Sequence, residues 1–129
     1  MSANGGDRPE TAALRAHLAA KPGASGDPLT STRGVTLYKV MGKMFAILED
    51  NKIQNVILKC DPHLAEVLRD QYEGVGRRSH LDPRFWISVR LDADVPADEI
   101  ARLADQSYDL VCAGLTKTQR AELAALTAA

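Results

Sequence analysis

The sequence predicts an α+β fold, an antiparallel sheet with helices packed on one face. Three observations predict it. Between Val35 and Cys60 the chain falls into three short strand-like segments joined by tight turns, links that favour hairpins over crossovers. A separate run, Phe85-Trp86-Ile87-Ser88-Val89-Arg90-Leu91, alternates with a period of two. Helical periodicity lies before, between and after these strands, giving the order helix, meander, helix, strand, two helices.

The elements follow in order. Residues 1–8 are polar and without periodicity and read as a disordered N-terminal tail, leaving residues 9–129 as a single domain. Pro9-Glu10-Thr11 opens a helix with Leu14 and Leu18 at four-residue spacing, and Lys21-Pro22-Gly23 stops it. Residues 24–33 are turn-rich, either loop throughout or with a short strand near Gly26–Leu29. The meander strands are Val35–Val40, Met44–Glu49 and Ile53–Cys60, with turns at Met41-Gly42 and Asp50-Asn51. Asp61 is placed to cap the next helix and Pro62 to occupy its first position, where a missing N–H costs nothing. Leu64, Val67, Leu68 and Gln71-Tyr72 keep that helix in period until Gly74 and Gly76 break it. A basic loop, Arg77-Arg78-Ser79-His80, leads to the alternating strand. Pro96, Asp98 and Glu99 open a long helix with acids suited to its macrodipole and an apolar stripe of Ile100, Leu103, Ala104, Ser107, Leu110 and Val111. Thr116 and Gln119 have capping-box spacing for a last short helix.

On the alternating strand Phe85, Ile87, Val89 and Leu91 form the apolar set and are expected in the core. Trp86, Ser88 and Arg90 then face the other way, where the only tryptophan is either a contact surface or covered by the 74–84 loop or the chain end. Lys59 joins them if Val56 and Leu58 face the core.

Composition narrows the function. The 129 residues are 45% hydrophobic and 26% charged, as in ordinary globular proteins, and no apolar run approaches the ~20 residues of a membrane span. With no signal-peptide pattern at the N-terminus, the expected location is the cytoplasm, with no membrane partner. Cys60 and Cys112 are isolated and read as small buried hydrophobes. A net charge of −1 is not that of a protein that coats nucleic acid by bulk electrostatics, but its distribution is uneven. Residues 33–60 and 77–90 each carry +3, while residues 91–129 carry −4.

No catalytic constellation is present, so an enzyme is not expected. Ser107 falls in an apolar stripe without an acid–base partner and reads as a close-packing residue. Gly74-Val75-Gly76 lacks the rest of a phosphate-binding loop. Cys60-x-x-His63 has no second pair, and His17, His63 and His80 are scattered, so neither a metal nor another cofactor is expected.

Several segments, in order and spacing, resemble the MmcQ/YjbR family: Lys43-Met44-Phe45-Ala46, Ile57-Leu58-Lys59-Cys60-Asp61-Pro62, Leu68-Arg69, His80-Leu81, Trp86-Ile87-Ser88-Val89 and Gln106-Ser107-Tyr108-Asp109-Leu110-Val111. Lys21-Pro22-Gly23-Ala24 resembles the segment that follows that family's first helix. The resemblance spans about residues 10–125. It implies a frataxin-like, or CyaY-like, antiparallel sheet and a family label of DNA binding through a "double-wing" arrangement. The chain departs from the family pattern at Arg77, where proline is common, and at Asp82-Pro83-Arg84-Phe85, where Asn-Lys-x-His is more usual.

The expected function is therefore DNA binding by a monomer, with double-stranded DNA as partner. Cations would hold phosphates and an exposed ring would stack or pack on sugar. The expected contact residues are Lys39, Lys43, Lys59, Arg77, Arg78, Arg84, Trp86 and Arg90, on a basic sheet face and the 77–84 loop. The rival reading is a non-enzymatic protein- or small-ligand-binding module anchored on Trp86. For Lys43 and Lys59 the simpler role is a hydrogen bond to a loop carbonyl or a surface ion pair.

Overall fold

Alternating burial along the strands fixes which way the sheet faces, and the computed structural model, which describes residues 9–128, shows where each strand lies. The tail expected at residues 1–8 falls outside the described residues. The order along the chain is α1 (Pro9–Ala19), β1 (Ala24–Pro28), β2 (Val35–Val40), β3 (Lys43–Asp50), β4 (Gln54–Lys59), α2 (Pro62–Gln71), β5 (Val75–Gly76), β6 (Trp86–Arg90), α3 (Ala97–Ala113) and α4 (Lys117–Ala128). The strands form one six-stranded sheet in the order β1-β2-β3-β4-β6-β5, every pair antiparallel. This is an α+β architecture. The 24–33 segment does contain a strand, displaced towards its start, and β5 is a two-residue strand in what reads as loop.

One sheet face carries the core. Tyr38, Ala46, Leu48, Val56, Leu58, Ile87 and Val89 pack there with Leu14 and Leu18 of α1 and Ile100, Leu103, Ala104, Tyr108 and Val111 of α3. Within α3 the expected stripe shifts by a residue at its end: Tyr108 is buried and Leu110 is 38% exposed. The Tyr108 ring meets Phe45 edge-on at 5.3 Å, a favoured aromatic geometry, and its hydroxyl donates to the Pro22 carbonyl at 2.5 Å. Phe85 departs from its expected place. It precedes β6, is 38% exposed, and lies beneath the Arg84 guanidinium at 5.2 Å, whereas Ile87, Val89 and Leu91 are buried as expected.

Capping follows the sequence closely. Asp61 accepts from the N–H groups of His63 and Leu64 at 3.1 and 3.2 Å. Thr116 and Gln119 exchange reciprocal bonds of 3.0 and 3.1 Å, a complete capping box. Met41 and Gly42 both have positive φ, the requirement of a tight turn matched to strand twist.

One irregularity sets the position of every basic residue on β3. Tyr38 pairs with Ala46, but Lys39 pairs with Met44, so Phe45 is the extra residue of a β-bulge. The bulge lets Phe45 and Ala46 both enter the core and reverses the alternation beyond them. Lys43 therefore turns to the helix side, where its Nζ lies 3.5 Å from the Gly114 carbonyl.

Candidate nucleic-acid interface

The face opposite the core carries two rows of side chains that cross the middle strands and, beyond them, two separate cross-strand pairs. The register aligns Lys39 of β2 with Met44 of β3, and Lys59 of β4 with Trp86 of β6, at one end of the sheet. Next come Leu37, Ile47, Ile57 and Ser88. The third row is Val35, Glu49, Asn55 and Arg90. Lys59 and Trp86 are directly opposed, so their Cβ atoms are about 5 Å apart. Lys39 lies two strands from Lys59, beyond the point where the β3–β4 ladder stops.

This face is only partly open, which corrects the expectation of a bare one. Ile57 is fully buried although it points away from the helices, and Glu49 and Asn55 are 6% and 8% exposed. Trp86 is half-buried, between the two alternatives its sequence allows. The 77–84 segment supplies the cover as a strap from the β5 edge. Arg78 reaches past β6 and β4 to Glu49 of β3, with N–O distances of 2.7 and 3.2 Å. Its guanidinium is thus committed to a carboxylate whose side chain is only 9% exposed. Withdrawing Arg78 to a phosphate would leave that acid buried and unpaired, so Arg78 is a strap anchor.

Arg69 holds both ends of the same strap. It donates to the Gly76 carbonyl at 3.4 Å, the Pro83 carbonyl at 2.5 Å and the Trp86 carbonyl at 2.9 Å. Just before the strap, Asp94 accepts from the N–H groups of Gly74 and Glu73, each at 2.8 Å. These bonds hold its carboxyl below the usual carboxylate range. Gly74 is needed there because a Cβ would stand 2.8 Å from the Ala93 Cβ and 2.9 Å from the Asp94 carboxylate.

The remaining cations differ in availability. Arg84 pairs with Asp82 at 2.8 Å and Arg90 with Asp92 at 3.2 Å, both exposed bridges between near neighbours in sequence. Such bridges are worth ~0–1 kcal/mol, and a polyanion can displace them. Lys39, Lys59 and Arg77 have no carboxylate partner among the described residues. Asp27 of β1 pairs with Leu37 at the edge of the middle row. Of the eight expected contact residues, the structure pairs Lys59 with Trp86, sets Lys39 at the same end of the sheet and Arg90 at the end of the third row, places Arg77 and Arg84 beside Pro62 and Glu66 of α2, and leaves Lys43 and Arg78 outside the group.

Asp105 joins His17 at 2.7 Å and Lys21 at 3.0 Å; burial pushes its carboxyl up, but these two hydrogen bonds outweigh it and hold the group below the usual range. Cys60 is buried and its thiol is pushed up to about 11 by burial, so it is unreactive at neutral pH. Among the described residues no group of three or more His, Cys, Asp or Glu is arranged to hold a metal ion, and no helix is long and apolar enough to cross a membrane.

Ser107 is the residue that sequence reasoning understated. The β3–β4 ladder stops at Ala46 and Leu58. Where the next rung would form, the Ser107 hydroxyl enters, donating to the Phe45 carbonyl at 2.6 Å and accepting from the Lys59 N–H at 2.8 Å. It thereby fixes the strand end that presents Lys59.

The fold and this face define a class: a small α+β protein of one antiparallel sheet, with helices on one side and a strapped, partly basic face on the other. The YjbR family model matches residues 19–110, and the chain belongs to the YjbR family. It is 36% identical over 98 residues to the uncharacterised protein YjbR of Escherichia coli strain K12, covering 74% of this chain and 80% of that protein. It is 30% identical over 74 residues to the uncharacterised protein YyaQ of Bacillus subtilis strain 168, covering 57% and 62%. Among solved structures it resembles the Deinococcus radiodurans protein DR2400, a DUF419 domain, with a TM-score of 0.75 at 30% identity over 85% of this chain and 84% of that one. A Pseudomonas syringae protein shares the fold at TM-score 0.67 and 22% identity, over 77% and 96%.

Proposed function

We propose that the protein is a DNA-binding protein of the cytoplasm, a binder rather than an enzyme, using the strapped sheet face. The carrying observation is the cross-strand pairing of Lys59 with Trp86, with Lys39 at the same end of the sheet, both lysines lacking a carboxylate partner among the described residues. Arg90 adds a cation at the end of the third row, and Arg77 and Arg84 gather with Arg69 beside the start of α2. Arg69 and the Arg78–Glu49 bridge hold the strap in place, so little order has to be gained on binding. The rival, a protein- or ligand-binding module, draws on the apolar Leu37, Ile47 and Ile57 row, and salt separates the two.

Binding of a labelled DNA oligonucleotide, followed by anisotropy over a salt series, tests the proposal. Three phosphate contacts predict a slope of log affinity on log salt of about −2 to −3. Lys39→Glu and Lys59→Glu should each reduce the slope by ~1 and weaken binding across sequences. Absence of binding at low salt overturns the proposal. A partner whose affinity survives high salt and is lost in Trp86→Ala would support the rival.

A further inference from the structure

The order of the rows says which form of nucleic acid suits the face. Charge and ring stand side by side at one end of the sheet, Lys59 against Trp86, with the Lys39–Met44 pair on the neighbouring strands and Leu37 and Ile47 in the next row. A duplex offers this sheet its phosphates, sugars and groove edges but keeps its base faces stacked inside. Against it Trp86 has no base face to stack on, and two lysines with a few arginines are a thin electrostatic contact. A single strand offers phosphates and unstacked bases together, and base stacking on an aromatic side chain is tolerant of sequence. We propose that the face takes single-stranded nucleic acid in preference to duplex, one base stacking on Trp86 while adjoining phosphates lie on Lys59 and Lys39.

This rests on the DNA-binding reading and narrows it. The cross-strand pairing places the Lys59 ammonium beside the ring, so one nucleotide can engage both. Lys39 lies two strands further, on the side to which the strand would continue. Neither lysine must break an ion pair to bind, unlike Arg78.

Trp86 is the only tryptophan, so its fluorescence reports on this row without a label. Wild-type protein is titrated at low salt with a mixed-sequence 20-nucleotide strand, and separately with the same strand annealed to its complement. The single strand should quench Trp86 and bind at least tenfold more tightly than the duplex. Anisotropy with labelled strands should show Trp86→Ala losing roughly five- to a hundredfold of single-strand affinity with duplex affinity unchanged. Trp86→Phe, which keeps a ring, should lie between and guards against misfolding of the alanine variant. Equal or tighter duplex binding, still abolished by Lys59→Glu, overturns the strand preference and leaves the DNA-binding reading standing. Failure of both forms to bind at low salt removes both.

Discussion

Ser107 occupies a position a nucleophile could fill, yet its bonds are to backbone. Its hydroxyl satisfies the Phe45 carbonyl and the Lys59 N–H where β3 and β4 part, and it is fully buried. Ser107→Ala removes both partners at once, and leaving buried backbone groups unpaired costs about 1–3 kcal/mol. The urea midpoint should fall accordingly; a loss below ~0.5 kcal/mol would show that the hydroxyl is not holding the ladder. Arg78 is the second residue whose role the structure changes. It reads in sequence as a phosphate contact, but its bridge to a buried carboxylate predicts that Arg78→Ala lowers stability by about 1–2 kcal/mol, discounted for its partial exposure. Lys59→Ala should leave the midpoint nearly unchanged. Asp94 adds a pH dependence. Its folded-state pKa is depressed by the Gly74 and Glu73 N–H groups, so its contribution is present above the unfolded-state pKa and is lost as pH falls through the folded value. Amides of residues 73 and 74 should lose hydrogen-exchange protection on acidification in the wild type, and in Asp94→Asn should show less protection already at neutral pH.

At the scale of elements, most of the family-like segments prove to hold the fold. Lys21-Pro22-Gly23 is docked by α3, with the Lys21 ammonium 4.9 Å above the Tyr108 ring and Pro22 accepting its hydroxyl. Gly23 has φ +71°, and a Cβ there would stand 2.4 Å from Leu123 of α4. Gly23→Ala should therefore cost about 1–2 kcal/mol, read from thermal or urea unfolding. Leu68-Arg69 continues the pattern, since Leu68 is in the core and Arg69 ties the strap. Arg69→Met should speed amide exchange over residues 77–85 and lower stability by about 1–3 kcal/mol. The caps and the meander were legible because each has a local signature: Asp before Pro, Thr and Gln three apart, alternation between tight turns. The Phe45 bulge was not, because Met44-Phe45-Ala46-Ile47-Leu48 is a continuous apolar run with no alternation for an extra residue to interrupt, and only pairing with Tyr38 and Lys39 reveals it. That single residue carries Lys43 to the helix side. Nor was β5 legible, since two residues between glycines carry no period.

The whole molecule puts its charge where the fold permits. Much of the −4 segment becomes α3, while Asp92 and Asp94 stay at the end of β6, where Asp92 pairs with Arg90, and the basic segments become the sheet and strap. The sequence supported the alignment of Trp86, Lys59 and Arg90 on one side through alternation alone. It could not show that Arg78, Arg84 and Arg90 would find carboxylates, because pairing with Glu49 depends on a loop that passes β6 and β4, and Asp82 and Asp92 could equally have turned to solvent. What survives is a smaller site than composition suggests, centred on Lys39, Lys59 and Trp86. Amide chemical-shift mapping with a single-stranded oligonucleotide at low salt tests that site most directly. Shifts concentrated on residues 37–39, 57–59 and 86–88, and suppressed by added salt, are the predicted result; shifts confined to α3 and α4, or none on any strand, would contradict it.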